Sequence, residues 1–158
     1  MNTTFDMFIE TEVPEHVEII SRTDLGGVIT YANDTFAKIS GYEVDELIGK
    51  PHNIVRHPDM PKSVFADIWE TLGRGKSWQG YVKNKRKDNG YYWVYANVSG
   101  VYKNGTLVEY KSLRSPIDRE TEIKMQNTYD ALRKSEEKSS RVVLYVTEKQ
   151  LEQIEKLL

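Results

Sequence analysis

Residues 51–61 concentrate the chemistry of this chain. Pro51, His52, Asn53, Ile54, Val55, Arg56, His57, Pro58, Asp59, Met60 and Pro61 put two of its three histidines, an arginine, an aspartate and three prolines into eleven positions. An arginine between histidines can meet a phosphate, a carboxylate or the polar edge of a planar ring, and prolines hold such a surface in one shape. From the residues alone two readings stand. The stretch is one wall of a ligand pocket, or it is a self-satisfied loop in which Arg56 pairs with Asp59 and His57 bonds a backbone carbonyl.

Other chemistries are argued against by what the chain lacks. It has no cysteine, which removes disulfides, thiolate metal sites, iron–sulfur ligation and cysteinyl adducts. His52 and His57 have no second ligand cluster beside them, so a transition-metal centre is disfavoured. There is no Gly-x-Ser-x-Gly, no phosphate-cradling glycine loop, no His-Glu-x-x-His and no kinase or cyclase signature, so the reading is non-enzymatic. A formal charge of −2 and a pI of about 6.0 give no reason to propose nucleic acid or a membrane surface as partner. The N-terminus lacks a basic start and an apolar segment, and no run nears the ~20 apolar residues of a membrane span. The expectation is a soluble, cytoplasmic chain.

The elements that must position residues 51–61 follow from pattern. Short β-runs at 18–23 and 28–32 flank Asp24, Leu25, Gly26 and Gly27, which predicts a hairpin. Asn33 reads as the N-cap of a short helix with Phe36 and Ile39 on its apolar face, ended by Gly41. One helical turn at 43–48 stops at Gly49 and Pro51. Pro61 then opens a helix whose Val64, Phe65, Ile68, Trp69 and Leu72 recur at helical spacing, closed by Gly73 and Gly75. Strands at 78–86, 91–102 and 107–113 are joined by turns containing Asn89-Gly90 and Asn104-Gly105, an antiparallel meander. The sum is an α+β domain, a five-stranded antiparallel sheet with short helices on one face.

Alternation puts Tyr91, Trp93 and Tyr95 on one face of the long strand and Tyr92, Val94, Ala96 and Val98 on the other. Trp78, Asn84, Tyr92, Trp93 and Asn97 are either ordinary core or an aromatic-and-amide surface for a planar ligand, with Asn33 at the cavity mouth.

The core domain spans 18–117, after an N-terminal cap at 1–17 that is flexible or loosely docked. Residues 118–158 form a polar helical extension for signalling or dimerisation. Ile123, Tyr129 and Leu132 mark a helix face there, and the charged run 133–138 with Ser139 and Ser140 breaks the seam. Residues 142–146 fit a strand or a buried helical turn. Thr147 and Gln150 open a final helix with Leu151, Ile154, Leu157 and Leu158 on its apolar side.

The run 23–36, then Ser40, Gly41 and Tyr42, Glu46 to Gly49, and the whole of 51–61 resemble a PAS sensor domain of the FAD-binding type found in bacterial aerotaxis (energy-taxis) receptors. Phe65 to Trp69, Trp78 to Gly80, Val82 to Asn84, Tyr92 to Val94, Ala96 and Asn97 continue the likeness, which covers roughly 20–115. The resemblance implies the PAS fold, noncovalent FAD, and relay of the flavin's redox state to a chemotaxis signal transducer. Protonation at flavin N5 would change its bond to a neighbouring amide and bias a partner interface. Carried over by position, Asn33, Arg56, His57, Asp59, Trp78 and Asn84, with Trp93, resemble cofactor-binding residues. Arg56 would meet FAD phosphates or brace its loop, His57 and Asp59 would set the helix walling the cavity, and Trp78 would line the isoalloxazine. The light-sensing flavin branch needs a cysteine that is absent here. Haem-binding PAS domains carry a histidine on a central helix, so His57 makes haem the alternative ligand. A ligand-free dimerisation module is the third reading. Aerotaxis receptors continue into a membrane anchor, a HAMP relay and a coiled coil, whereas this chain stops at Leu158. It is then an excised sensor or a stand-alone partner of a separate transducer.

Overall fold

The computed structural model describes residues 9–140. The reading of 142–146, the final helix after Thr147 and the first eight residues of the N-terminal cap lie outside the described residues.

Two strands open the fold, β1 (Ile19–Thr23) and β2 (Ile29–Ala32), paired antiparallel. Their turn is held by Asp24, whose carboxylate accepts from the backbone N–H groups of Gly26 (2.9 Å) and Val28 (3.0 Å). The other three strands are β3 (Trp78–Lys85), β4 (Tyr91–Lys103) and β5 (Thr106–Ser115). Asn89 and Asn104 take positive φ in the two turns between them, as the Asn-Gly pairs predict. All neighbours are antiparallel and the sheet order is β2-β1-β5-β4-β3, so the first and last strands meet at its centre.

Between β2 and β3 the chain makes α1 (Asp34–Ser40), α2 (Val44–Leu47), a 3₁₀ turn (His52–Val55) and α3 (Lys62–Gly73). Asn33 caps α1: its amide oxygen accepts from Phe36 N–H (3.0 Å) and Ile20 N–H (3.1 Å), and its amide nitrogen donates to the Glu18 carbonyl (2.9 Å). One side chain thus ends a helix and fastens it to β1. Phe36, Ile39, Leu47 and Val55 are buried in a core shared with Ile19, Ile29, Tyr92 and Val94. Pro61 is the N-cap of α3 rather than its first helical residue, because its ψ of 142° is extended.

A second layer covers the opposite face. α4 (Arg119–Ser140) lies against β3 and β4, with Tyr129 stacked on Trp93 (centroids 6.1 Å, planes 20° apart) and its hydroxyl donating to the Tyr81 carbonyl at 2.6 Å. The charged run beginning at Arg133 interrupts the apolar seam without ending the helix, and two of its charges, Arg133 and Glu136, have partners in the core domain. Arg133 pairs with Asp59 and Asp130, and Glu136 reaches the start of α3. Residues 9–11 of the N-terminal cap are docked: Thr11 N–H donates to the Tyr91 carbonyl (2.8 Å) and Tyr91 N–H to that of Ile9 (3.0 Å). Gly90 permits this approach, since a Cβ there would stand 2.7 Å from the Ile9 oxygen. Among the described residues no helix is long and apolar enough to cross a membrane.

Candidate functional site

Register decides which side chains share the inner sheet face. Trp78 lies opposite Val98, Ala96 opposite Arg114, and Ser21 opposite Ser112. These residues floor a cleft whose far wall is α3, through Phe65, Ile68, Trp69 and Leu72. His52, Asn53, Val55 and Arg56 of the 51–61 stretch close one side.

The aromatic groups are held by neighbours. The Trp78 indole N–H donates to the Asp67 carboxylate at 2.9 Å, which links β3 to α3. Its ring lies over Gly80, where a Cβ would come within 2.5 Å of the indole. Trp69 meets Tyr110 edge to face at 5.2 Å. Arg56 sets its guanidinium 4.4 Å from the centre of the Phe65 ring and forms an antiparallel backbone bridge with Asn84. Burial lowers the pKa of Arg56, and Glu136 opposes that shift. Asn84 is buried opposite Tyr92, whose hydroxyl meets Ser40 Oγ at 2.7 Å.

The base of the cleft holds a buried cation. Arg114 is 4% exposed, with its guanidinium 4.3 Å from the centre of the Phe36 ring, Nη2 2.6 Å from Ser21 Oγ and Nη1 3.4 Å from His52 Nε2. Its Nε is buried without a partner, and no carboxylate pairs with it among the described residues. Burial lowers its pKa to about 10, so the charge stays. His52 lies stacked on Phe36 at 5.6 Å. Burial first, then Arg114, pushes His52 down to about 3, so the ring is neutral near pH 7 and its Nε2 accepts. With Arg56 and Lys111 also lining the cleft and no Asp or Glu doing so, the lining is cationic. An apolar, aromatic slot with a guanidinium at its base that lacks a counter-charge suits a planar ligand that carries acceptor or anionic groups.

Three of the residues proposed from sequence meet in this cleft: Arg56, Trp78 and Asn84. Four lie elsewhere. Asn33 is the α1 cap, its amide oxygen and nitrogen both engaged. Trp93 is on the outer face under Tyr129. His57 is 2% exposed, with Nδ1 accepting from the Asp59 N–H at 3.0 Å and its ring edge-on to Tyr91. Burial, then the Lys83 charge, lowers His57 to about 4. Asp59 accepts from Lys83 Nζ (2.7 Å), Arg133 Nη1 (3.2 Å) and Gln126 Nε2 (3.3 Å). Burial alone would raise its pKa, but the hydrogen bond and charge of Lys83, with His57 and Arg133, hold it below the usual range. Arg114, Ser21 and Tyr110 were not singled out from sequence. The inner-face alternation Tyr110, Ser112, Arg114 in β5 carried that information, since Arg114 sits in register with the buried Ala96.

Among the described residues no group of three or more His, Cys, Asp or Glu could hold a metal ion. The histidine in the cleft, His52, has its Nε2 engaged by Ser21 and Arg114, and His57 does not line it.

The PAS-fold family pattern matches residues 29–114. Over 122 residues the chain is 46% identical to the aerotaxis receptor of Escherichia coli (strain K12), covering 77% of this chain and 24% of that protein. It is 33% identical over 116 residues to the biofilm dispersion protein of Pseudomonas aeruginosa, covering 71% and 28%. The chain thus spans about a quarter of the length of these relatives. The light-state structure of the blue-light photoreceptor aureochrome 1 LOV superposes with a TM-score of 0.62 at 22% identity, covering 69% of this chain and 91% of that one.

Proposed function

The chain belongs to the PAS-fold family, and from that premise we propose that it is a redox sensor domain that binds FAD noncovalently in the cleft beneath α3. The observation that carries this reading is the pairing of aromatic walls with an uncompensated buried guanidinium, Arg114, in a lining free of carboxylates. Bound FAD supplies a two-electron redox centre whose charge and protonation change with the cell's electron supply.

The remaining steps belong to the protein. Trp78 and Trp69, set by Asp67 and Tyr110, pack the faces of the ring system. Arg114 offers hydrogen bonds to its acceptor edge, Ser21 Oγ holds that guanidinium by accepting from it, and neutral His52 keeps a second cation out of that position. Arg56 and Lys111 meet the phosphates at the rim, and Asn84 offers an amide to the ring edge. Water is excluded by the apolar side chains of α3.

The likeness to an aerotaxis receptor extends the reading to chemotaxis: the domain reports to a chemoreceptor signalling or HAMP module, in the same chain or a separate one, or to a second copy of itself. The test is cofactor identity. Heat-released ligand from purified protein should chromatograph as FAD, and ligand-free protein should take FAD up at one per chain. Release of haem, or failure to take up FAD, contradicts the reading.

A further inference from the structure

We propose that α4 is part of the construction of the ligand cleft, with Glu136, Arg133 and Asp59 as positioning residues that set its α3 wall without touching the ligand. α3 has no side-chain cap of its own at Pro61. The first N–H groups of a helix lack intrahelical partners, and its N-terminus favours negative charge. Glu136 supplies both needs from the far end of α4: its Oε2 accepts from Lys62 N–H (3.1 Å) and its Oε1 from Ser63 N–H (2.9 Å). The helix so fixed carries the cleft residues Phe65, Ile68, Trp69 and Leu72.

A second fastening lies a few residues upstream. Asp59, between cleft-lining Arg56 and α3, is held by Arg133 and Gln126 of α4 and by Lys83 of β3. The segment from 59 to 63 is therefore gripped at both ends by one face of α4. Trp93 under Tyr129 anchors the same helix to the sheet. His57, Asp59 and Trp93, three of the residues that resemblance ties to the cofactor, thus lie on the α4 side of this wall and not in the cleft. Their effect on a ligand passes through the position of α3. Coupling is reciprocal, so a ligand that stabilises the wall also tightens α4 by the same factor.

The inference rests on the FAD reading for its ligand, and its test separates the two. FAD dissociation constants are measured by flavin fluorescence for the wild type, Glu136→Ala, Glu136→Gln and the exposed control Glu120→Gln, alongside hydrogen exchange of α3 and α4. Loss of the cap should weaken FAD by about tenfold in Glu136→Ala. Glu136→Gln should keep part of the affinity, and Glu120→Gln all of it. Exchange in the first turns of α3 should speed by a similar factor while β4 is unchanged. In the wild type FAD should slow exchange in α4 around Gln126 to Glu136. FAD affinity unchanged in Glu136→Ala, or α4 exchange indifferent to FAD, overturns the proposal. If the wild type takes up no FAD the cofactor reading falls, and the α3 exchange of ligand-free Glu136→Ala decides this one: acceleration supports it, and no change overturns it.

Discussion

The guanidinium of Arg114 lies 4.3 Å from the centre of the Phe36 ring, at the base of a cleft with no carboxylate to neutralise it. A buried charge without a counter-charge costs stability and is tolerable where hydrogen bonds, an aromatic face and eventually a ligand share it. Replacing it with a similar-sized apolar side chain should relieve the fold and impoverish the site. Arg114→Leu is expected to melt within a few degrees of the wild type, or above it, while FAD affinity drops by about tenfold or more. Paired calorimetry and FAD titration check this, and an unchanged affinity would remove Arg114 from the site.

The two core histidines make acid stability steep. His52 is held at about 3 and His57 at about 4, both below the ordinary 6.5, chiefly by burial. Unfolding near pH 5 therefore takes up protons that the folded state refuses. Stability contributed by neutral burial is present above pH 6.5 and lost as pH falls through 4 to 3. With the opposing Glu122 carboxyl removed as Glu122→Gln, urea melts should show a slope approaching about 2.7 kcal/mol per pH unit, the limit for two protons. His52→Gln should remove about half of it. A flat profile from pH 7 to 4.5 would contradict the burial assigned to both rings.

Glu122 pulls the other way. Burial, and then a hydrogen bond with Glu10, raises its carboxyl to about 7. Arg119 serves both carboxylates, at 2.7 Å from Glu10 and 3.5 Å from Glu122. The stability tied to this protonated pair is full at low pH and lost as pH rises through 7. Docking of 9–11 on β4 should loosen accordingly. Carboxyl-carbon NMR should find Glu122 titrating near neutrality, and Glu122→Gln should make Tyr91 amide protection independent of pH between 6 and 8. Titration in the ordinary carboxylate range would contradict the pairing.

Gly80 is required by Trp78. A methyl group there would stand 2.5 Å from the indole, so Gly80→Ala must displace the ring from the cleft floor or distort β3. Overpacking of this kind costs about 1–3 kcal/mol. The variant should melt lower and hold less FAD per folded chain than Gly73→Ala, whose added carbon meets nothing within 4 Å. Equal FAD content in the two variants would release Trp78 from its role.

Local chemistry was readable in the chain, and distant partnerships were not. The Asn-Gly turns, the Asn33 cap and the helical spacing of Val64 to Leu72 rest on neighbours within a few residues, so pattern found them. Residue types singled out 51–61 and the resemblance narrowed its reading, but periodicity could not say which way each side chain turned. Arg56 faces the cleft, while His57 turns from it under its own hydrogen bond with the Asp59 backbone. Trp93 sits between Tyr92 and Val94 of the buried inner face, so strand alternation sends it to the opposite layer. Arg114 was missed because its partners Ser21 and His52 stand 93 and 62 residues away. The charged run at 133–138 reads in sequence as a solvated break. Only the fold reveals Glu136 as the cap of a helix 73 residues before it.

An absorption spectrum tests the central claim most directly. Purified protein should show the visible bands of oxidised flavin, lost on anaerobic addition of dithionite and recovered on return of air. A colourless protein that stays colourless after incubation with FAD, or one showing a haem Soret band, would contradict it.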